Sequence, residues 1–588
     1  MWKGFRILEI RNHVQFNFGR MKRIFRIILS VGLSIGVSGS CNSQNSNDSD
    51  NYNYRNPVDI PMNLSGNFGE FRTNHFHTGI DIKTNGKVGF PVYAIEDGWV
   101  RRVKVSPFGY GKALYLDHPN GHTSVYAHLS SYNDTISSFL SLAQEKLKRN
   151  VVDIFPNKDR IPVKKGDVIG YTGNSGRSGG PHLHFELRTS ATEKPLNPLL
   201  YGFKIKDSTA PSINSLVVED LSNDARGLVE SAKKYFPIRK GNGLVISSVI
   251  KVPDNFGFSV HSLDRVTGSS NSFGIYSYEL VVDEKVLFKM ALDSLDFSTN
   301  RYINAHKNYR IFKDSKSSIH RCYKAPNNKL DIYSGETDGV FTLEDDEIHH
   351  GKLTVKDVNG NSSVLTFRFQ LSKKGSEGAE TYQNSYLHFD QPHRLNLDGF
   401  TAHIPAYRLV NDVEVNLKKL NSKNSYSGTY SIGNDKIPVQ NTFLVSLELK
   451  NNSEIDSSKF FISRFNPKNG RSYNQGGEFR DGWIQTRVKQ FGTYYLNYDT
   501  QPPTAKLTSS KSKLESKRVL YFTIHDDNSG IEDYFLWLNN EWIPLYYNYK
   551  LDRLEAQIPD DFNVTGEVNY ELTVIDERKN STVLKGGV

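Results

Sequence analysis

Short segments of the chain recur in the same order in its later part. "FSVH" from Phe258 returns as "FTIH" from Phe522, "GIYSYEL" from Gly274 as "GIEDYFL" from Gly530, and "LTVKDVNGNS" from Leu353 as "LTVIDERKNS" from Leu572. Each set follows a proline-marked stretch, "DSTAP" at Asp207 or "DTQPP" at Asp499. Ordered recurrence of alternating, β-branched and aromatic segments is the mark of one duplicated β-module, longer in its first copy. The modules are expected over residues 206–372 and 499–588, as antiparallel β-sandwiches of immunoglobulin-like type. Between them, residues 373–498 form a third Tyr- and Asn-rich β region whose fold the pattern does not specify.

At 588 residues the chain is too long for one core, and 31 Tyr and 34 Phe against 4 Met favour repeated short strands over helix bundles. The fold class is mostly β. Two cysteines, Cys41 and Cys322, exclude a disulfide framework and a Cys-rich zinc finger, so a metal site would need His and carboxylate. The net charge of +9 is spread along the chain without a Lys/Arg block. It suits an anionic polymer or surface and gives no indication of nucleic acid.

Residues 1–41 read as an export signal with a start at Met21: Lys22, Arg23 and Arg26 precede an apolar run to about Val37, then small residues. That run is shorter than the roughly 20 residues of a membrane span. Cys41 follows small residues and opens an Asn/Ser/Asp-rich tether over 42–56, which resembles the lipidated cysteine of bacterial lipoproteins, with Ser38 where those signals carry a larger aliphatic residue. The expected location is the cell envelope, in the periplasm or on the outer membrane as a lipoprotein.

A compact domain is expected over residues 57–205. "VYAIEDGWVRRV", "ALYLDH", "TSVYAHL", "DVIGYTG" and "HLHFEL" read as strands, with a hairpin turn at Pro119-Asn120-Gly121. "DTISSFLSLAQEKLKRN" breaks the pattern: Ile136, Phe139, Leu140, Ala143 and Leu147 stand at helical spacing from an N-cap at Asp134. It is a helical insertion over about 132–160, read as a lid or a side of a substrate groove.

In "HLH", His182 and His184 share one face of a strand while Leu183 points to the other. His77 and Asp81, in "NHFHTGIDIKT", add an imidazole and a carboxylate. Zinc takes such donors, and a catalytic site keeps three protein ligands and a fourth position for water. His77 and Asp81 supply two, one member of the HLH pair completes the set, and the other is free for proton transfer. His75 could reach the same face. His118 and His122, flanking the hairpin turn, are read as ordinary polar residues. The loop "GNSGRSGG", Gly173–Gly180, either admits a ligand's main chain or is a long turn; it lacks the strand-to-helix context of a phosphate loop.

These stretches resemble the lysostaphin-type, LytM-like zinc endopeptidases of bacterial cell walls. "FRTNHFHTGIDI" is similar to their His-x-Gly-x-Asp motif with an upstream Arg, "YAHLS" to their central histidine motif, and "KKGDVIGYTGNSGRSGGPHLHFEL" to their final strand, loop and His-x-His. The resemblance covers about a quarter of the chain and departs from compact relatives at the insertion after Tyr132. It implies an antiparallel β-sheet peptidase domain holding Zn2+ through His77, Asp81 and His184. His182 would be the general base, and His128 would stabilise or orient the attacked group. Arg72 and Tyr126 either position substrate or serve as a surface ion pair and strand packing. The implied partners are peptidoglycan peptides, with a membrane reached through Cys41 and an envelope protein through the β-modules. The competing reading is an inactive envelope scaffold that activates another wall hydrolase; such relatives typically lose one or more of these positions, and all are present here. An adhesin or glycan-binding protein would explain the modules but not the motif residues.

Overall fold

The computed structural model describes residues 52–221, 232–241, 243–267, 269–372, 385–421, 426–450 and 456–588. The export signal and Cys41 lie outside the described residues. Among the described residues no helix is long and apolar enough to cross a membrane.

The first unit is built on a nine-stranded sheet. Its main path runs Leu64–Gly66, Ile80–Lys83, His182–Thr189, His122–Leu129, Lys112–Asp117, Gly98–Val105 and Val152–Ile154, every pair antiparallel. A three-stranded sheet of Pro91–Tyr93, Val168–Tyr171 and Ser131–Tyr132 joins it. Ile80, Ile82, Leu114, Leu116, Leu183, Phe185 and Leu187 fill the core.

The inserted helix is real and spans Asp134–Leu147. Its N-cap is Asn133, not Asp134: the Asn133 side chain accepts from the Ile136 backbone N–H, which leaves Asp134 as an acidic residue in the first turn. Ile136, Leu140 and Gln144 are its buried face, whereas Leu147 is exposed. Just past the helix, the Asn150 side chain is buried against the last β-module, donating to Tyr534 O at 2.6 Å and accepting from Leu545 N at 2.7 Å. The insertion is thus a dock for residues 499–588.

The sequence repeat is reproduced strand for strand. Ser277–Val282 pairs with His349–Lys356, which pairs with Ser362–Leu371; likewise Ile531–Leu538 pairs with Asn569–Asp576, which pairs with Ser581–Gly587. In each copy a second sheet, containing Asn255–Leu263 or Val519–His525, contributes to the same apolar cluster. Between the copies, two five-stranded sheets and a two-stranded ribbon enclose a separate core.

The first module touches the peptidase-like unit where its motif begins. Phe68 and Phe76 belong to the module's apolar cluster. Asn300 Oδ1 accepts from Phe76 N at 2.6 Å, and the Asn67 side chain exchanges hydrogen bonds of 2.8 and 2.9 Å with the backbone of Gly274. Both anchors flank His77 in the chain or hold the residue that contacts it.

Candidate metal centre

Asp81 and His184 sit directly opposite each other on neighbouring antiparallel strands, so their side chains leave the same face side by side. His77 comes just ahead of Ile80–Lys83, its backbone tied to Gly69 and Glu70 by hydrogen bonds of 2.8 and 2.9 Å. Three atoms converge. His77 Nε2, His184 Nδ1 and Asp81 Oδ1 form a triangle with edges of 3.0, 2.9 and 3.0 Å. All three residues are buried.

The remaining hydrogen bonds show what this triangle lacks. His77 Nδ1 lies 2.8 Å from the Asn67 carbonyl oxygen, and His184 Nε2 lies 2.8 Å from Glu186 Oε1. Each of those nitrogens must carry the proton, because its partner can only accept. In neutral imidazoles the inward nitrogens are then bare, and two lone pairs and a carboxylate oxygen face one point with no donor among them. A cation satisfies that arrangement. Tetrahedral zinc at its usual bond lengths spaces its ligand atoms by about 3.3 Å, so the donor set fits in type and spacing. Burial by itself would lower His184, but the hydrogen bonds to Asp81 and Glu186 outweigh it and lift the imidazole to about 9. Positive charge is favoured at this centre.

Around the triangle lies a set of supports that the sequence reading did not single out. Glu186 Oε1 also accepts from Thr78 Oγ1 at 2.7 Å and from the Tyr110 hydroxyl, while Oε2 takes Arg188 Nε at 2.7 Å. Burial pushes the Glu186 carboxyl up, but Arg188 and then His184 outweigh it and hold it well below the usual range. It stays ionised and fixes the His184 ring, the usual role of a carboxylate behind a metal-bound histidine. The Tyr110 ring stacks on His184 with centroids 5.2 Å apart. Period-2 counting along "HLHFELR" would have found Glu186 and Arg188, since both lie on the His184 face; Tyr110 and Asn67 have no such signal. Glu186→Gln should weaken metal retention by about 10- to 100-fold, read by competition with a zinc-binding dye. Unchanged affinity would remove Glu186 from this support.

His182 and His128 flank the triangle, their rings 4.9 Å apart. His182 Nδ1 lies 2.8 Å from the Gly180 carbonyl oxygen and His128 Nδ1 2.8 Å from that of Ser175. Each neutral ring therefore presents a bare Nε2, and that of His182 is 3.5 Å from Asp81 Oδ1. Burial, then the charges of His184 and His182, push His128 down to about 3, so it is neutral at pH 7. His128 sits at a shift of register between Lys112–Asp117 and His122–Leu129, with φ of 60°. Such a bulge with left-handed backbone re-aims a side chain out of the alternation. Gly173 makes room for it: a Cβ there would stand 2.3 Å from Ser130 N and 2.7 Å from His128 O.

The other residues singled out in the sequence divide cleanly. Arg72 donates to Asp81 Oδ2 at 2.8 Å, the oxygen that does not face the triangle, and so holds the carboxylate by its outer atom. Tyr126 is a core residue whose hydroxyl accepts from Ile95 N at 3.1 Å. His118 is buried between the Asp97 carbonyl oxygen and Ser124 Oγ, and His122 meets the Tyr54 hydroxyl. His75 is not among the converging groups. The Gly-rich loop is covered by the last module: Gly176 N donates to the Tyr546 hydroxyl at 2.8 Å, and Lys550 Nζ donates to Asn174 O at 2.8 Å.

Comparison with known proteins covers this stretch of the chain. The model of peptidase family M23 matches residues 75–140 and 156–198, and the break between the two stretches falls within the inserted helix and the strand after it. A Zu5-like domain model matches residues 384–499, the region whose fold the sequence pattern does not specify. The DD-carboxypeptidase/endopeptidase Mpg of Neisseria meningitidis is 35% identical over 153 residues, 26% of this chain and 29% of its own length. The peptidoglycan DD-endopeptidase ShyA of Vibrio cholerae is 31% identical over 139 residues, 23% of this chain and 26% of its own. Lysostaphin of Staphylococcus staphylolyticus is 32% identical over 111 residues, 19% of this chain and 18% of its own. The chain spans under a third of the length of each of these relatives. The chain carries a peptidase family M23 domain of the LytM and lysostaphin type, followed by β-rich modules.

Proposed function

We propose that this protein is a zinc metalloendopeptidase that hydrolyses peptide bonds of peptidoglycan. The observation that carries the reading is the buried triangle of His77, Asp81 and His184, with every outward nitrogen already bonded to an acceptor. Those three residues would hold zinc, which supplies Lewis acidity toward water and the scissile carbonyl. The protein's own groups do the rest. His182, its Nδ1 held at the Gly180 carbonyl oxygen and its Nε2 beside Asp81, takes the proton of the attacking water and returns it to the leaving amine. His128, held by Ser175, orients the attacked group, and stabilises oxyanion charge only when its Nε2 carries a proton. Arg72 donates to Asp81 Oδ2, which leaves Oδ1 toward the two imidazoles. An inactive scaffold is the weaker reading, because all five positions are present and the ligand atoms already converge.

The substrate reading is stem-peptide crosslinks, cut as a D,D-endopeptidase; it rests on the relatives, two of which are named for DD-endopeptidase activity. The location reading is the cell envelope, with export through the signal, attachment through a lipid on Cys41, and immunoglobulin-like modules that engage the wall or an envelope partner. The test uses the chain beginning after Cys41, incubated with purified sacculi. Expected is loss of crosslinked peptides, stopped by 1,10-phenanthroline and restored by zinc, with mass spectrometry naming the bond. Intact sacculi under a folded, zinc-loaded protein would transfer the reading to the scaffold.

A further inference from the structure

The two copies of the β-module share more than strands. Asp207 and Asp499 open them, Asp264 and Asp526 each come directly after an equivalent strand, and Asp357 and Asp576 close "LTVKD" and "LTVID". In each copy the three carboxylates offer oxygens within 4.8 Å of one another. Two of the three in each copy are buried, Asp264, Asp357, Asp499 and Asp576 being 4, 3, 1 and 0% exposed, while Asp207 and Asp526 are half-buried. The scaffolding is also duplicated. Asn361 Nδ2 donates to Asp357 Oδ2 at 2.7 Å and to the Asp207 carbonyl oxygen at 3.4 Å, and Asn580 Nδ2 donates to Asp576 Oδ2 at 2.7 Å and to the Asp499 carbonyl oxygen at 3.2 Å.

Each cluster also holds a buried oxygen with nothing to bond. Asp264 turns its carboxylate into the first cluster, and its Oδ1 has no hydrogen-bond partner. Beside the second, Ser529 is 3% exposed and its hydroxyl is likewise unpartnered, although its N–H donates to Asp499 Oδ2 at 3.1 Å. A buried polar atom without a partner is costly, and each copy holds one, a triad carboxylate oxygen in the first and a neighbouring hydroxyl in the second. The charges bearing on Asp264 are Asp357 and Asp207, and those bearing on Asp526 include Asp499 and Asp576.

We propose that the Asp207, Asp264, Asp357 and Asp499, Asp526, Asp576 triads are two equivalent calcium sites that clamp the linkers at the start of each β-module. All-oxygen, carboxylate-rich donors select a hard cation, and a flexible multi-carboxylate set suits calcium better than the stricter geometry of magnesium. Asp207 follows the peptidase domain and Asp499 follows Gly492–Tyr498, the last strand of the middle region. The ions would therefore stiffen the hinges that bring Tyr546 and Lys550 onto the Gly-rich loop.

The test uses the chain beginning after Cys41, passed over a chelating resin and reloaded with one equivalent of zinc, then titrated with calcium by calorimetry. Two ions are expected per chain, with dissociation constants of about 1 mM or tighter and an unfolding midpoint raised by about 5 °C at saturation. Asp264→Asn and Asp526→Asn should each reduce the stoichiometry by one ion, and the double variant should bind none. Without calcium, each variant should melt no lower than the parent, since it removes a like charge from the cluster. Fewer than two ions bound at about 5 mM calcium, a stoichiometry untouched by the variants, or a lowered calcium-free midpoint would overturn the proposal, the last by making the aspartates ordinary structural acceptors.

Discussion

Replacing His184 by alanine is expected to remove zinc and hydrolysis together. The substitution deletes the Nδ1 donor of the triangle and the Nε2 bond to Glu186 in one step. His77 and Asp81 alone leave two protein ligands where a catalytic zinc site keeps three. The expected results are a gel-filtered protein without stoichiometric zinc and release of wall peptides reduced to background. The loss should be local. The triangle lies in the first unit, while the cores of the middle region and of the last module are separate clusters, so their thermal transitions should persist. Full activity from a metal-free His184→Ala protein would overturn the ligand set.

His182→Ala separates chemistry from metal binding. His182 Nε2 is 3.5 Å from Asp81 Oδ1, against 2.9 Å for His184 Nδ1, and its Nδ1 is taken by Gly180 O, so it stands beside the triangle. Zinc content should stay at one per chain while kcat falls about 10²- to 10⁴-fold, the span of a lost general base. KM should change little, because the proton transfer is made in the transition state. Loss of zinc with His182 would reverse the roles of the pair.

Much of this site is legible in the sequence because it is built from strand periodicity. Two residues apart on a strand means one face, and pairing of "HLH" with "GIDI" sets His184 opposite Asp81. The duplicated module is legible for the same reason: its strands carry the repeat. What stays hidden depends on features with no period. The bulge at His128 arises from the mismatch between two adjacent strands, and neither strand shows it alone. Asn133 and Asp134 are both good caps, so local chemistry does not choose between them. The aspartate triads are printed in the repeat, yet their members lie in linkers or at strand ends far apart in sequence, and only the folded module brings them together. Residues 384–499 match a Zu5-like model although their Tyr- and Asn-rich strands give no decisive pattern.

The contact between Asn150 and the last module joins residues separated by 384 and 395 positions. A loop of that length is slow to close through an unfolded chain, and it shortens only when the intervening sheets have formed. Synthesis runs from the N-terminus, so the metal triangle exists as polypeptide well before Tyr546 and Lys550 do. The cover of the Gly-rich loop is consequently the last of these contacts to be assembled. A nascent or clipped chain would own His77, Asp81 and His184 and still lack the contacts over its Gly-rich loop, which makes those contacts a record that the whole chain has folded.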